Sequence, residues 1–332
     1  MKKFAFLAFL IFFAAFMLSA CETESGKKDV SQKKISIVAT IYPQYDWLKN
    51  ILGERADSVD LKLLIKNGTD LHSYKSSAQD IAAIAGADMV VYVGGESDDW
   101  IKKALEATPK AGRVQVNLME ALGDRVKEEE IVEGMQAEEE HHEHAEEHHH
   151  EEEEAENDEH IWLSLINAKM LVGSLAEALA KIDTANAETY KTNVANFTAK
   201  LDELNGAYAA AVSEASNKTI LFGDRFPFRY MVDDYGIKYF AAFVGCSAES
   251  EASFETVTFL AGKMDSLQLP AIFTIDGSNG KIARTILEAS KKSRNAQVLT
   301  LNSMQSVKEN QAGEDYLSIM KSNLEVLKQA LK

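Results

Sequence analysis

Strands alternating with helices in both halves of the chain predict an α/β protein of two lobes with mainly parallel sheets, joined by one long helix. Three observations carry this. Short β-branched runs are each followed by helical spacing, the same alternation recurs on both sides of the middle, and residues 185–215 contain no Pro and one Gly. A length of 332 residues fits two domains at roughly 150 residues each.

The chain opens with Lys2, Lys3 and an apolar run from Phe4 to Leu18, followed by Ser19, Ala20 and Cys21. A basic start, a short apolar stretch and small residues are the pattern of a secretory signal peptide over 1–20, too short for the ~20 residues that span a bilayer. Residues 21–34 are polar and suit a tether.

The first lobe is expected over 35–184. Ile35–Ile41 reads as a buried strand, Tyr45–Leu52 as a helix stopping at Gly53, and Val59–Ile65 as a strand ending in the turn Asn67-Gly68. Helices follow at Ser77–Ala85 and Trp100–Ala107, with strands at Ala87–Val93 and Val114–Asn117. Residues 128–159 break the pattern with 17 acidic residues, no Lys or Arg, and six histidines: His141, His142, His144, His148, His149 and His150. That composition predicts a disordered insertion, because it offers too little apolar surface to bury.

Ile161–Ile182 is helical in spacing, and the linking helix over 185–215 would span about 45 Å at 1.5 Å per residue. The second lobe, 216–332, repeats the style of the first. Strands are expected at Lys218–Phe222, Tyr239–Val244, Ala271–Ile275 and Val298–Leu301. Helices are expected at Tyr230–Tyr235, Phe254–Gln268, Lys281–Lys291 and Asp315–Leu331.

Charge narrows the function. The chain has 35 basic and 52 acidic residues, a formal net charge of -17, which opposes binding to nucleic acid. Outside the signal peptide and the insertion the balance is 33 basic to 35 acidic, so the acidity belongs to the His-rich segment. Two cysteines exclude a disulfide framework and a Cys-rich zinc fold.

Two histidines stand outside the insertion: His72 in GTDLHSY and His160 in DEHIWL. Asp276 follows the apolar strand AIFTI and precedes Gly277-Ser278-Asn279-Gly280. Loops at the carboxyl ends of strands are where open α/β sheets bind ligands.

Leu18-Ser19-Ala20-Cys21 resembles a bacterial lipoprotein signal, which implies cleavage before Cys21 and lipidation of its thiol. From Ile35 onward the chain resembles the solute-binding proteins of zinc and manganese ABC importers, the cluster A-I family. The resemblance rests on Thr40-Ile41-Tyr42-Pro43 and on Gly68–Tyr74, with Leu71 where the family has Pro. It rests also on Asp158–Leu163, with Glu159 where the family has Pro, and on the His-rich insertion just before that motif.

The resemblance implies a metal between the lobes, held by His72, His160 and the carboxylate of Asp276. The family's third histidine is missing: counting back from Tyr230 puts Arg225 at its position and Asp224 one residue earlier. Arginine stays protonated and cannot ligate a metal, so Asp224 is the first candidate for the fourth ligand. A water, Cys246 and Glu249 are the others.

The implied function is capture of Zn²⁺ and delivery to an ABC permease, by a monomer held at the outer face of the membrane by its lipid anchor. Imidazole-rich sites favour zinc, whereas a site of two histidines and two carboxylates suits Mn²⁺. From other classes, the same residues suit a surface adhesin or a zinc-dependent hydrolase, although no His-Glu-x-x-His motif is present. The six histidines of the insertion are expected to collect zinc weakly, so that deleting 128–158 leaves one tight site.

Overall fold

The structure, a computed structural model, describes residues 34–66, 68–136, 156–247, 251–305 and 314–331. Cys21, Glu249 and the six histidines from His141 to His150 lie outside the described residues.

Among the described residues, eight strands form two parallel sheets. The first contains β1 (Ser36–Ala39), β2 (Asp60–Leu63), β3 (Met89–Tyr92) and β4 (Val114–Asn117) in the order β2-β1-β3-β4. The second contains β5 (Thr219–Phe226), β6 (Lys238–Val244), β7 (Ala271–Ile275) and β8 (Gln297–Leu301) in the order β6-β5-β7-β8. Both orders reverse direction beside the first strand, and that reversal opens a crevice at the strands' carboxyl ends. The central strands β3 and β7 are buried along their whole length, which is why they read as unbroken apolar runs rather than alternating ones.

Helices α1 (Tyr42–Leu52), α2 (Ala78–Gly86), α3 (Asp99–Ala107) and α4 (Leu118–Leu122) accompany the first sheet. Pro43 stands in the first turn of α1, where a missing N–H costs nothing. Ser77 and Asp80 cap α2 reciprocally. Helices α5 (Leu165–Ile182) and α6 (Ala187–Glu214) follow. The 28 residues of α6 make it about 42 Å long, and it packs against α5 and α1. Helices α7 (Arg229–Tyr235), α8 (Phe254–Leu267), α9 (Lys281–Ala289) and α10 (Tyr316–Ala330) belong to the second half.

The C-terminal helix does more than complete the second lobe. α10 packs on α6 and α1 as well as β8. Tyr316 lies edge-on to Trp47 at 5.2 Å and donates to the Trp162 carbonyl at 2.7 Å. Tyr208 of α6 donates to the Met320 carbonyl at 2.6 Å. One continuous apolar core therefore runs through both sheets, with a smaller cluster beneath α8 and α9.

Two expectations change. Strand β5 runs on to Phe226 instead of ending at Phe222, with a register shift against β6 between Phe222 and Arg225. The irregularity follows the strand into GDRF, where charge disguised its continuation. The ends of the acidic insertion also join the fold. Glu128 bridges Asn157, Glu129 N–H donates to the Glu156 carbonyl at 2.8 Å, and Asp158 N–H donates to the Lys127 carbonyl at 2.8 Å. Charge density hides this, because it counts acids without seeing their partners: Glu130 accepts from Tyr239 and Glu133 pairs with Lys263.

Candidate metal centre

His72 enters the site from a short 3-10 turn after β2. Asp70 caps that turn, its Oδ1 accepting from His72 N–H at 2.9 Å. Leu71, in the usual Pro position, is buried beneath it. His160 precedes a second 3-10 turn, Ile161–Leu163, whose side chains are all buried. The two imidazoles meet with Nε2 atoms 3.2 Å apart.

Each ring is anchored at its other nitrogen. Asp158 Oδ1 accepts from both His160 N–H at 2.8 Å and His160 Nδ1–H at 3.0 Å. His72 Nδ1 lies 2.8 Å from Ser97 Oγ, and Ser97 N–H donates to Glu159 Oε1 at 2.8 Å. Glu159, the second departure from the family's proline, thus holds the residue that holds His72. With both protons assigned to Nδ1, both Nε2 lone pairs face one point. Burial, then the neighbouring His160, push the His72 imidazole down to about 3, which keeps it neutral and able to ligate.

Cys246 completes the cluster. Its sulfur and the ligand nitrogens of His72 and His160 lie within 4.8 Å of one another. Glu129 Oε1 accepts from Cys246 N–H at 3.0 Å, and burial pushes the thiol well above its ordinary range. A bound cation would reverse that by stabilising the thiolate. Gly245 allows the close approach: a Cβ there would sit 2.9 Å from His160 Cε1 and 3.0 Å from Nδ1.

The carboxylates expected from sequence stand differently. Asp276 follows β7, and its Oδ1 accepts from Ser303 N–H at 2.6 Å and Ser303 Oγ at 2.7 Å. Asp224, ranked first for the fourth ligand, accepts from Arg225 N–H at 3.0 Å, and burial raises its carboxyl. Among the described residues, neither belongs to the group of potential ligand atoms within 4.8 Å, whereas Cys246 does. Counting along the chain favours Asp224, whereas the group within 4.8 Å contains Cys246, two residues past the end of β6. Asp276 and Asp224 line, with His72, a cleft of about 450 Å³. Arg225, at the missing histidine's position, ion-pairs with Asp70 and so ties the second sheet to the His72 turn.

Sequence reasoning missed Ser97, Glu129, Ser303 and Gln305. Gln305 Nε2 lies 2.8 Å from His72 Nε2 and 2.5 Å from His160 Nε2. The only signal for it was position, a polar residue just beyond the carboxyl end of the last strand.

A family model described as the periplasmic zinc-uptake complex component A matches residues 37–330. The zinc-binding lipoprotein AdcA of Streptococcus pneumoniae R6 is 32% identical over 331 residues, covering 99% of this chain and 61% of that protein. The chain thus spans about three-fifths of the length of AdcA. The high-affinity zinc uptake system protein ZnuA of Bacillus subtilis 168 is 30% identical over 332 residues, covering 99% of this chain and 98% of that protein. Among solved structures, the Zn(II)-bound ZnuA-like domain of S. pneumoniae AdcA superposes with a TM-score of 0.68 at 28% identity, covering 90% of this chain and 99% of that one. The metal-dependent lipoprotein YcdH of B. subtilis gives 0.70 at 26% identity, with the same coverage.

Proposed function

The chain belongs to the zinc-uptake complex component A family, and on that premise we propose that it captures Zn²⁺ outside the cytoplasm and hands it to an ABC import permease. The observation that carries the reading is the imidazole pair. Two nitrogens bound tetrahedrally to one zinc at about 2.0–2.1 Å stand roughly 3.3–3.4 Å apart, and the Nε2 atoms of His72 and His160 are 3.2 Å apart. They need little rearrangement to share an ion.

The ligand set we propose is His72, His160 and Cys246, with Asp276 as the carboxylate that joins when Ser303 releases it. Asp224 would remain beside the cleft. Two imidazoles and a thiolate are softer donors than Mn²⁺ prefers, so the cargo is zinc. Lipidation of Cys21 would hold the protein at the membrane, and it would act as a monomer. It would be a carrier rather than a catalyst.

The histidines between His141 and His150 would collect zinc weakly and feed the tight site. In support, the two ends of their segment meet at Glu128 and Asn157, next to the elements that carry Cys246 and His160. The informative deletion is therefore 137–155, because removing 128–158 would also remove Glu129 and Asp158. Zinc titration of the full chain against a competing chelator should give one tight site and several weak ones. The deletion should retain only the tight site. Loss of the tight site in that deletion would refute the division of labour, and uptake of zinc that does not require the permease would refute the carrier role.

A further inference from the structure

Gln305 is 4% exposed and aims its amide at the point on which the two imidazoles converge. An amide nitrogen carries two N–H donors, and an imidazole Nε2 accepts when Nδ1 holds the ring proton. Asp158 and Ser97 support that tautomer at both rings. One amide nitrogen therefore engages both lone pairs that a cation would engage, and the two occupants exclude each other.

The other end of the amide is also committed. Ser303 Oγ lies 3.1 Å from Gln305 Oε1 and 2.7 Å from Asp276 Oδ1, so one buried hydroxyl links the glutamine to the carboxylate. The Ser303 carbonyl accepts from Trp162 Nε1 at 2.8 Å, which pins the turn to the body of the protein. Between the two residues, Met304 has φ 59, a left-handed conformation that residues with a side chain seldom adopt.

We propose that Gln305 is an internal stand-in for the cation. Its two N–H groups hold the lone pairs of His72 and His160, and an entering ion must displace it. Its departure frees both Nε2 lone pairs for the ion and leaves the Ser303 hydroxyl to Asp276 alone. On release the amide covers the lone pairs again, which lowers the cost of giving up the ion. The cost on entry is the same for every cation. It leaves ratios of affinity unchanged but pushes ions that bind imidazole weakly, such as hard oxygen-seeking ones, below useful occupancy. The role rests on the zinc-carrier reading, since it needs a cation at the imidazole pair.

The test is chelator-competition titration of zinc on the full chain, comparing wild type with Gln305→Ala and Gln305→Met. Methionine keeps the bulk and removes the donors, so it decides the matter if the alanine variant does not fold. Removing two competing hydrogen bonds should tighten zinc binding roughly 5- to 150-fold in both variants. The Gln305 side-chain amide resonances in the wild type, assigned by their loss in the variants, should shift on addition of zinc. Unchanged affinity in the folded variants overturns the stand-in role. Weaker binding also overturns it, by making Gln305 a ligand. Failure of the wild type itself to bind zinc would remove the carrier reading, and this role with it.

Discussion

Replacing Asp158 by Asn tests whether the anchoring of His160 sets the strength of the site. Asp158 is 2% exposed, and one of its oxygens accepts both from the His160 backbone at 2.8 Å and from Nδ1 at 3.0 Å. The carboxylate acts in two ways: it fixes the ring's direction and it holds the proton on Nδ1, leaving Nε2 free. Asparagine keeps the shape but offers a weaker, neutral acceptor, and its amide can turn an N–H toward Nδ1. That would favour the tautomer whose Nε2 carries the proton. Loss of such an outer partner typically weakens metal binding 10- to 100-fold, or about 1.4–2.7 kcal/mol. The assay is competition for zinc with a fluorescent chelator at pH 7.5, beside a thermal melt that establishes folding. Asp202→Asn, which removes only the exposed partner of Lys169, serves as the control and should leave zinc binding unchanged. A folded Asp158→Asn protein that binds zinc within twofold of wild type would refute the anchoring role.

Three further outcomes follow from the same structure. Cys246→Ser should weaken cadmium binding at least tenfold and zinc binding less, because a hydroxyl replaces the soft donor; equal losses for both ions in competition titrations would take the sulfur out of the site. Gly245→Ala should weaken zinc binding about tenfold and cost ~1–3 kcal/mol in urea unfolding, since the added methyl meets His160 at 2.9 Å. Asp46, on α1, is outside the group formed by His72, His160 and Cys246, and burial pushes its carboxyl up to about 6. The folded protein therefore holds this proton between about pH 4 and 6 where the unfolded chain has lost it, so the group's contribution falls as pH rises through that window. Relative to Asp46→Asn, the wild type should lose on the order of 3 kcal/mol between pH 4 and 7 in urea titrations, and parallel pH profiles would count against the burial effect.

Much of the fold was legible because its signals are local. Buried parallel strands appear as runs such as MVVY and AIFTI, and a helix end appears at Gly53. The misjudged stretches are those where tertiary partners override composition. GDRF continues β5 because Arg225 finds Asp70, 155 residues away in sequence. Residues 128–136 join the fold because Glu129, Glu130 and Glu133 find Cys246, Tyr239 and Lys263.

The metal centre divides along the same line. The sequence by itself determined the chemistry available: His72 and His160 in strand-end motifs, a carboxylate at Asp276, and an acidity confined to one His-rich segment. Only the tertiary structure decided which of these groups converge. It set the imidazoles 3.2 Å apart, brought Cys246 rather than Asp224 to them, and aimed Gln305 between them. The physical reason is that coordination is a matter of a few ångströms among residues more than 80 positions apart, and spacing along a chain carries no information at that scale until the two sheets are packed.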